Sequence, residues 1–259
     1  VLYTQHPYRC RFDWGQRGTH MAAERGDILV IVDVLSFSTT AVTALHHGGI
    51  IYPYSYHEED PALFAQHIGA ELAVRRQDVP AKGRFSLSPA TFEQIEPGTS
   101  VVLASPNGAT CSRHAREVPY LFVGALVNAH ATASAISSLL TQQENMNVTI
   151  IACGERWQTP SQDEEFRVAI EDYLGAGAIL SYLPQEKSPE ASVCAGAFMQ
   201  AQDNLAALLW DCGSGRELRA MSFEGDVTAA AQLNAYNAVP LMRNDHLEAW
   251  SGNAQTQLR

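Results

Sequence analysis

The sequence predicts an α/β protein, a mostly parallel sheet flanked by helices. Three observations carry that prediction. Short apolar runs rich in β-branched residues, such as "DILVIVDV", "SVVLAS" and "NVTIIAC", have the length and composition of strands. Segments of helical period follow them in regular alternation, as βα units do. The joints between run and helix carry Asp, Ser, Asn and Gly, which start turns and cap helices.

Taken in order, the first unit is "DILVIVDV" and a helix near 39–48, closed by Gly48-Gly49. "GIIYPYS" follows as a short strand. "EEDPALFAQHIG" is a helix with Asp60 as N-cap and Pro61 in its first turn. "AELAVRR" reads as a further strand. "SVVLAS", the turn "PNGAT" and a helix through Arg116 make the third unit, and "YLFVGA", "LVNA" and "HATASAISSLLTQQ" the fourth. The fifth is "NVTIIAC", a long loop "GERWQTPSQ" and a helix "DEEFRVAIEDYLGAGAILSYL", with Asp163, Glu164 and Glu165 favouring the helix dipole. "QEKSPE" (185–190) is the most linker-like stretch. Beyond it the chain reads as helical to about 222, "DVTAAAQLNAYNAVPLM" ends the ordered part, and "SGNAQTQLR" is a frayed tail. The expectation is one α/β domain over 1–259, with 191–250 as a helical C-terminal subregion.

Composition narrows the function. The chain has 259 residues, 46% hydrophobic and 17% charged, with a formal charge of −11. That balance argues against coating nucleic acid, which takes clustered cations to displace counterions. It is compatible with a bound divalent cation. No apolar run is long enough for a membrane span, and the first residues lack the continuous apolar stretch of a secretory signal. The five cysteines are scattered and odd in number, so a reducing cytoplasm is expected. A homodimer is compatible with these observations.

In such folds ligands bind where strands end and helices begin. Four such joints are polar: Asp33 with Ser36, Ser38, Thr39 and Thr40; Ser105 with Asn107-Gly108; Asn128; and Cys153-Gly154-Glu155-Arg156. Each alone is an ordinary cap or turn, and together they point to a shared anion site. Asp33 stands out, because a carboxylate closing "ILVIV" costs free energy unless a cation or several donors satisfy it. It is read as an Mg²⁺ ligand or as the group that activates a nucleophile, with a backbone-capping role as the plain alternative. Glu171 and Asp172 form a second acidic pair, and their helical spacing predicts that only one faces the site.

Several schemes are absent. The position two residues after Asp33 holds Leu35, not the second Asp of a haloacid-dehalogenase phosphatase. There is no Walker loop, dinucleotide fingerprint or G-x-S-x-G elbow. Arg156 lies too close to Cys153 for a cysteine-phosphatase loop, so Cys153 reads as a buried thiol before a nucleophile. The histidines show no metal-ligand spacing.

"VIVDVLSFSTTAVTAL" resembles the first motif of the 2-phosphosulfolactate phosphatase (ComB) family, D-V-L-R-A-T-T-T followed by a helix. The resemblance continues in order through "LSPATF", "ASPNGAT", "VGALVNAHATA", "IIACGERW", "EDYLGAGAI" and "GDVTAAAQLNAYNAVPLM". It implies the family's own α/β fold and Mg²⁺-dependent hydrolysis of a small anionic phosphate ester, 2-phosphosulfolactate or a related 2-phospho-acid, a step toward coenzyme M. The positions it carries over are Asp33, Thr39, Thr40, Asn107, Asn128, Glu171 and Asp172. In that role Asp33, Glu171 and Asp172 would hold metal or activate water. The hydroxyls of Ser36 to Thr40, with Ser105, Asn107, Gly108, Asn128, Cys153 and Glu155, would line the phosphate, and Arg156 would stabilise developing charge. One position departs: the family motif carries Arg where this chain has Ser36. A serine offers a single donor in place of a planar fork, and Arg156 is the nearby cation expected to take over. The departure also supports a rival reading, an inactive relative that binds a phosphorylated or sulfonated metabolite.

Overall fold

The computed structural model describes residues 3–55, 58, 60–161 and 164–252, and the side chains of these except at 158–161 and 164–165. The expected tail beyond 252 lies outside the described residues, as does Asp163. In chain order the elements are β1 (Cys10–Trp14), α1 (Gly15–Glu24), β2 (Ile28–Val32), α2 (Phe37–His46), β3 (Ile50–Tyr54), α3 (Pro61–Ile68), β4 (Glu71–Leu72), β5 (Ser100–Ala104), α4 (Gly108–His114), β6 (Leu121–Gly124), α5 (Ala129–Gln142) and β7 (Val148–Ala152). They continue as β8 (Glu155–Ser161), β9 (Glu164–Arg167), α6 (Ile170–Tyr182), α7 (Pro189–Ala201), α8 (Leu205–Asp211), α9 (Gly213–Ala220), α10 (Glu224–Ala230), β10 (Pro240–Arg243) and β11 (His246–Ala249).

The main sheet has the order β1-β7-β2-β6-β10-β11-β3-β5-β4. β1, β7, β2 and β6 form one parallel block, and β3, β5 and β4 form another. The C-terminal hairpin β10–β11 lies between them, antiparallel to β6 on one side and to β3 on the other. By pairing, the two blocks run in opposite senses. The joins are narrow, Leu241 opposite Phe122 and Leu247 opposite Ile51, so the sheet can bend there. The exit of β5 meets the exit of β2, where the Ser105 hydroxyl donates to Asp33.

β2 shows why its sequence does not alternate. Ile28, Val30 and Val32 enter a core with Leu139, Ile179 and Phe198, from α5, α6 and α7. Leu29 and Ile31 enter the core on the other face, with Phe37, Ala41, Ala109 and Cys111 from α2 and α4. A strand covered on both faces needs apolar residues at every position. α3 begins as expected: the Asp60 side chain accepts the Ala62 N–H at 2.9 Å, and Gly69 ends the helix at φ 68°.

Several expectations are corrected. β1 and β11, for which no strand was expected, are sheet members; β1 carries charge and aromatics and sits at an edge, where apolar burial on both faces is not required. "AELAVRR" keeps only a two-residue strand, and Arg76 starts a 3-10 turn. The loop after Gly154 is strand β8, paired with β9 where a helix start was expected. Acids are favoured in a first turn, but the acids occupying it are Glu171 and Asp172 rather than Glu164 and Glu165. The linker-like stretch 185–190 is bonded to β1. Cys10 donates its N–H to the Glu186 carbonyl at 3.0 Å, Ser188 returns one to Cys10 at 2.9 Å, and the Ser188 hydroxyl caps α7 through the Ala191 N–H. Of residues 191–250, α7 to α10 are helical and the last part is the β10–β11 hairpin at the middle of the sheet. Among the described residues no helix is long and apolar enough to cross a membrane.

α6 packs on α7 through Gly177, where an added Cβ would lie 2.4 Å from the Cys194 carbonyl oxygen. Gly177→Ala gains about 1 kcal/mol of helix propensity. The clash is with backbone and cannot be relieved by a rotamer, so the net loss should be about 1–3 kcal/mol. Urea unfolding of the variant against the parent protein measures it; unchanged or increased stability would contradict this packing.

Candidate active site

β2 delivers Asp33 to a turn built to receive its carboxylate. Oδ1 accepts the Phe37 N–H at 3.3 Å, and Oδ2 accepts the Gly108 N–H at 2.8 Å and the Ser105 hydroxyl at 3.4 Å. An added Cβ on Gly108 would sit 2.7 Å from Asp33 Oδ2 and 2.5 Å from the Phe37 ring, so only glycine lets the start of α4 approach this closely. Asp33 is 4% exposed, and burial is the first cause that raises its pKa, the charge of Glu171 adding to it against the amide donors.

The hydroxyls of this turn serve the backbone. Ser38 Oγ accepts the Asp33 N–H at 2.9 Å and donates to the Ile31 carbonyl, while the Ser38 N–H donates to the Asp33 carbonyl at 2.8 Å. Thr39 and Thr40 donate their hydroxyls to the carbonyls of Val34 (2.8 Å) and Leu87 (2.9 Å). Asn128 is equally committed: Oδ1 accepts the Ala125 N–H and Nδ2 donates to the Ala238 carbonyl, both at 2.9 Å. It ties the β6 exit to the segment before β10.

Both acids of α6 are buried, and they point to different partners. Asp172 clamps two strand exits, accepting the N–H of Val34 at 2.7 Å and of Gly154 at 2.9 Å. Its pKa is raised well above the ordinary value, first by burial and then by the charges of Asp33 and Glu171. The α8–α9 junction covers the other acid, and Cys212 hydrogen-bonds to Glu171. Burial, followed by that charge, pushes the Cys212 thiol up to about 12. This explains how both can be interior: the helix is covered on more than one side.

A cavity of about 310 Å³ opens beside this cluster, lined by Trp14, Gly15, Gln16, Arg17, Asn107, Cys111, Cys153, Glu155, Arg156 and Phe166. The structure thus brings Asn107, Cys153, Glu155 and Arg156 to one hollow. Asp33, Glu171 and Asp172 lie among the buried residues behind it. Asn107 joins the two zones. Its Nδ2 donates to Glu155 Oε2 at 2.9 Å, and its N–H donates at 3.2 Å to the Ser105 hydroxyl, which donates in turn to Asp33. Burial raises Glu155 to about 8, with repulsion from Asp33 adding to it and Asn107 opposing it. Cys153 is buried beside Cys111, and burial lifts its thiol well above the ordinary range, which speaks against a ready thiolate.

Two residues of this region had no signal in the sequence. Arg76 Nη2 donates to the Ser36 hydroxyl at 2.5 Å and to the Leu87 carbonyl at 2.9 Å, while Nε donates to Asp226 at 2.8 Å. Arg76, not Arg156, is therefore the cation that meets Ser36. Residues 150 positions apart in sequence form the Arg76–Asp226 pair; Asp226 lies in the "GDVTAAAQ" stretch, but nothing local there points to Arg76. Arg17 reaches the cavity because β1 pairs with β7, a pairing the aromatic and charged start of the chain does not announce.

As a metal site, the donor set is all hard oxygen: Asp33, Glu171 and Asp172 are buried and repel one another. Among the described residues no three Asp, Glu, His or Cys side chains are placed to wrap one ion. A hard ion such as Mg²⁺ would take one or two of these carboxylates and fill its remaining positions with water and substrate oxygens. Both oxygens of Asp172 accept backbone amides, as do both of Asp33, so an ion would take the remaining lone pairs of these acids and of Glu171.

Buried carboxylates at strand exits, amide-rich turns and a small cavity with both charged and aromatic walls define an α/β enzyme for a small molecule. The comparison with known proteins sharpens this. The profile of the 2-phosphosulpholactate phosphatase family matches residues 16–245, and the chain belongs to that family. It is similar to a probable 2-phosphosulfolactate phosphatase of Carboxydothermus hydrogenoformans, 32% identical over 82% of this chain and 84% of the relative. It is also similar to a 2-phosphosulfolactate phosphatase of Methanocaldococcus jannaschii, 25% identical over 85% and 91%. A probable 2-phosphosulfolactate phosphatase of Thermus thermophilus is 27% identical over 87% and 91%.

The raised carboxyls fix a pH dependence. Asp33, Asp172 and Glu155 bind their protons more tightly folded than unfolded, so their stabilisation is complete below the unfolded carboxylate range and is lost as pH rises through the folded values. The melting temperature of the metal-free protein should fall from mild acid toward pH values above about 8, the value to which Glu155 is raised. Glu155→Gln should flatten the upper part of that fall. A melting temperature rising across the window would contradict the arrangement.

Proposed function

We propose that the chain is a Mg²⁺-dependent phosphatase hydrolysing a small anionic phosphate ester, 2-phosphosulfolactate or a related 2-phospho-acid. The observation that carries this reading is the Asp33 node, a buried carboxylate among backbone amides, joined through Ser105 and Asn107 to a cavity bearing Arg156 and Glu155.

Asp33 and Glu171 would hold the ion, which when bound would neutralise charge on the phosphoryl oxygens and favour attack at phosphorus. The residues of the chain do the rest. Asp172 holds the exits of β2 and β7 at a fixed separation through its two amide bonds. Arg156 offers positive charge to the phosphoryl group as it becomes more negative. Glu155, raised to about 8, holds a proton at neutral pH. Asn107 holds Oε2 of this carboxyl, and its proton would pass to the leaving alkoxide oxygen as water attacks. The Ser36 hydroxyl, with Arg76 behind it, supports the turn from the opposite side.

The reading is tested by phosphate release from 2-phosphosulfolactate and phosphoglycolate, with Mg²⁺ and with chelator. Release should require Mg²⁺, and Asp33→Asn should lower kcat by about 100-fold or more. Mg²⁺ should also raise the melting temperature of the parent protein at pH 8, and less so that of Asp33→Asn, a readout independent of turnover. Full activity of folded Asp33→Asn would sink the assignment. Stabilisation by an ester without any phosphate release would favour the rival reading of an inactive binding protein.

The leaving-group role of Glu155 predicts an acid-favouring rate profile. The group must be protonated, so kcat should fall as pH rises through about 8. Glu155→Gln should remove that limb and slow esters with poor leaving groups most. The check is a pH series on an alkyl and an aryl phosphate; an unchanged limb in the variant would reject the role.

A further inference from the structure

Arg17 is a cation in the cavity wall for which the phosphoryl chemistry has no use. It stands in the first turn of α1, is exposed, and lines the same hollow as Asn107, Glu155 and Arg156. Among the described residues no carboxylate pairs with it, although acids outnumber Lys and Arg by 28 to 17 in the chain. Most arginines in the described structure do have such a partner: Arg11 and Arg25 share Asp27, Arg76 holds Asp226, and Arg113 holds Glu58 and Asp245. An unpaired guanidinium on a rigid helix, directed at a cavity in an acidic protein, is suited to an anion brought from outside.

The position is also suited to one part of a substrate. Asn107 lines the cavity next to Gly108, whose N–H is on Asp33, so the phosphoryl end belongs at that side. Arg17 enters from a different element, α1, following a strand at the edge of the sheet. A substrate that carries a carboxylate or sulfonate beyond its phosphate would bring a second negative charge into a hollow already backed by Asp33, Glu171 and Asp172. Without a cation on the tail side, repulsion from that acidic cluster would oppose binding.

We propose that Arg17 is the specificity-determining residue of the cavity, donating hydrogen bonds to the carboxylate or sulfonate on the non-phosphoryl part of the substrate. This rests on the phosphatase reading above. It goes beyond it by assigning to one side chain the choice between esters with and without an anionic tail.

The test compares 2-phosphosulfolactate with phenyl phosphate, whose tail is uncharged, in the parent protein, Arg17→Gln and Arg17→Lys, with Mg²⁺ present. The ratio of kcat/KM for the two esters should fall by about tenfold or more in Arg17→Gln, carried by KM of the sulfonated ester. Arg17→Lys, which keeps the charge and loses the fork, should fall in between. A ratio unchanged within about twofold in folded Arg17→Gln overturns the assignment while leaving the phosphatase reading intact. Absence of phosphate release from either ester in the parent protein removes both.

Discussion

The carboxylate of Asp33 is placed at the end of an apolar strand, 4% exposed, and much of the surrounding backbone is arranged around that burial. An ionised group taken from water there would be costly without donors, and the chain supplies two amides and a hydroxyl from separate segments. To bring the Gly108 amide to 2.8 Å, α4 must begin on a residue without a side chain. To bring Ser105 there, the exit of β5 must meet the exit of β2 across a sheet whose two parallel blocks are joined by the narrow β10–β11 hairpin. The C-terminal strands are therefore part of the site's construction, although they hold none of its acids.

Around Asp33 the balance of charge is left unfavourable. Asp172 and Glu155 are each shifted upward by burial first and by neighbouring carboxylates next. Such a cluster is poorly suited to stability alone, since removing charge by protonation would relieve it. It is well suited to a cation and a phosphoryl group that arrive together. The clamp by Asp172, held at both oxygens, supplies the rigidity, and the cavity side chains supply the polar surface that meets solvent.

The hydroxyl-rich turn after β2 has a different meaning in three dimensions. Ser38, Thr39 and Thr40 are bonded to backbone carbonyls or amides and fix the path of the turn. Ser36 is the exception, since its partner is a guanidinium. A small residue at that position leaves room for Arg76 to come in from the 3-10 turn after β4, anchored by Asp226 and lying over the Phe223 ring at 5.7 Å. The positive charge near the turn thus comes from elsewhere in the chain, and its anchoring acid lies on α10.

The amino-acid order by itself determined the α/β class, the succession of βα units, and the placing of polar residues at strand exits. These follow from local propensities and from the need of a two-sided strand to be apolar throughout. It also singled out Asp33, because a lone acid ending "ILVIV" is conspicuous against its neighbours. Only the tertiary structure decided that β1 and β11 join the sheet, that Glu164 to Arg167 form a strand, and that both Glu171 and Asp172 are interior. Each of these depends on what packs against the segment from far along the chain: the 185–190 stretch beside β1, β8 beside β9, and the α8–α9 junction over α6. Arg76 and Arg17 belong to the same group. A side chain that acts through a partner 150 residues away, or across a cavity, leaves no periodicity and no local motif for the sequence to display.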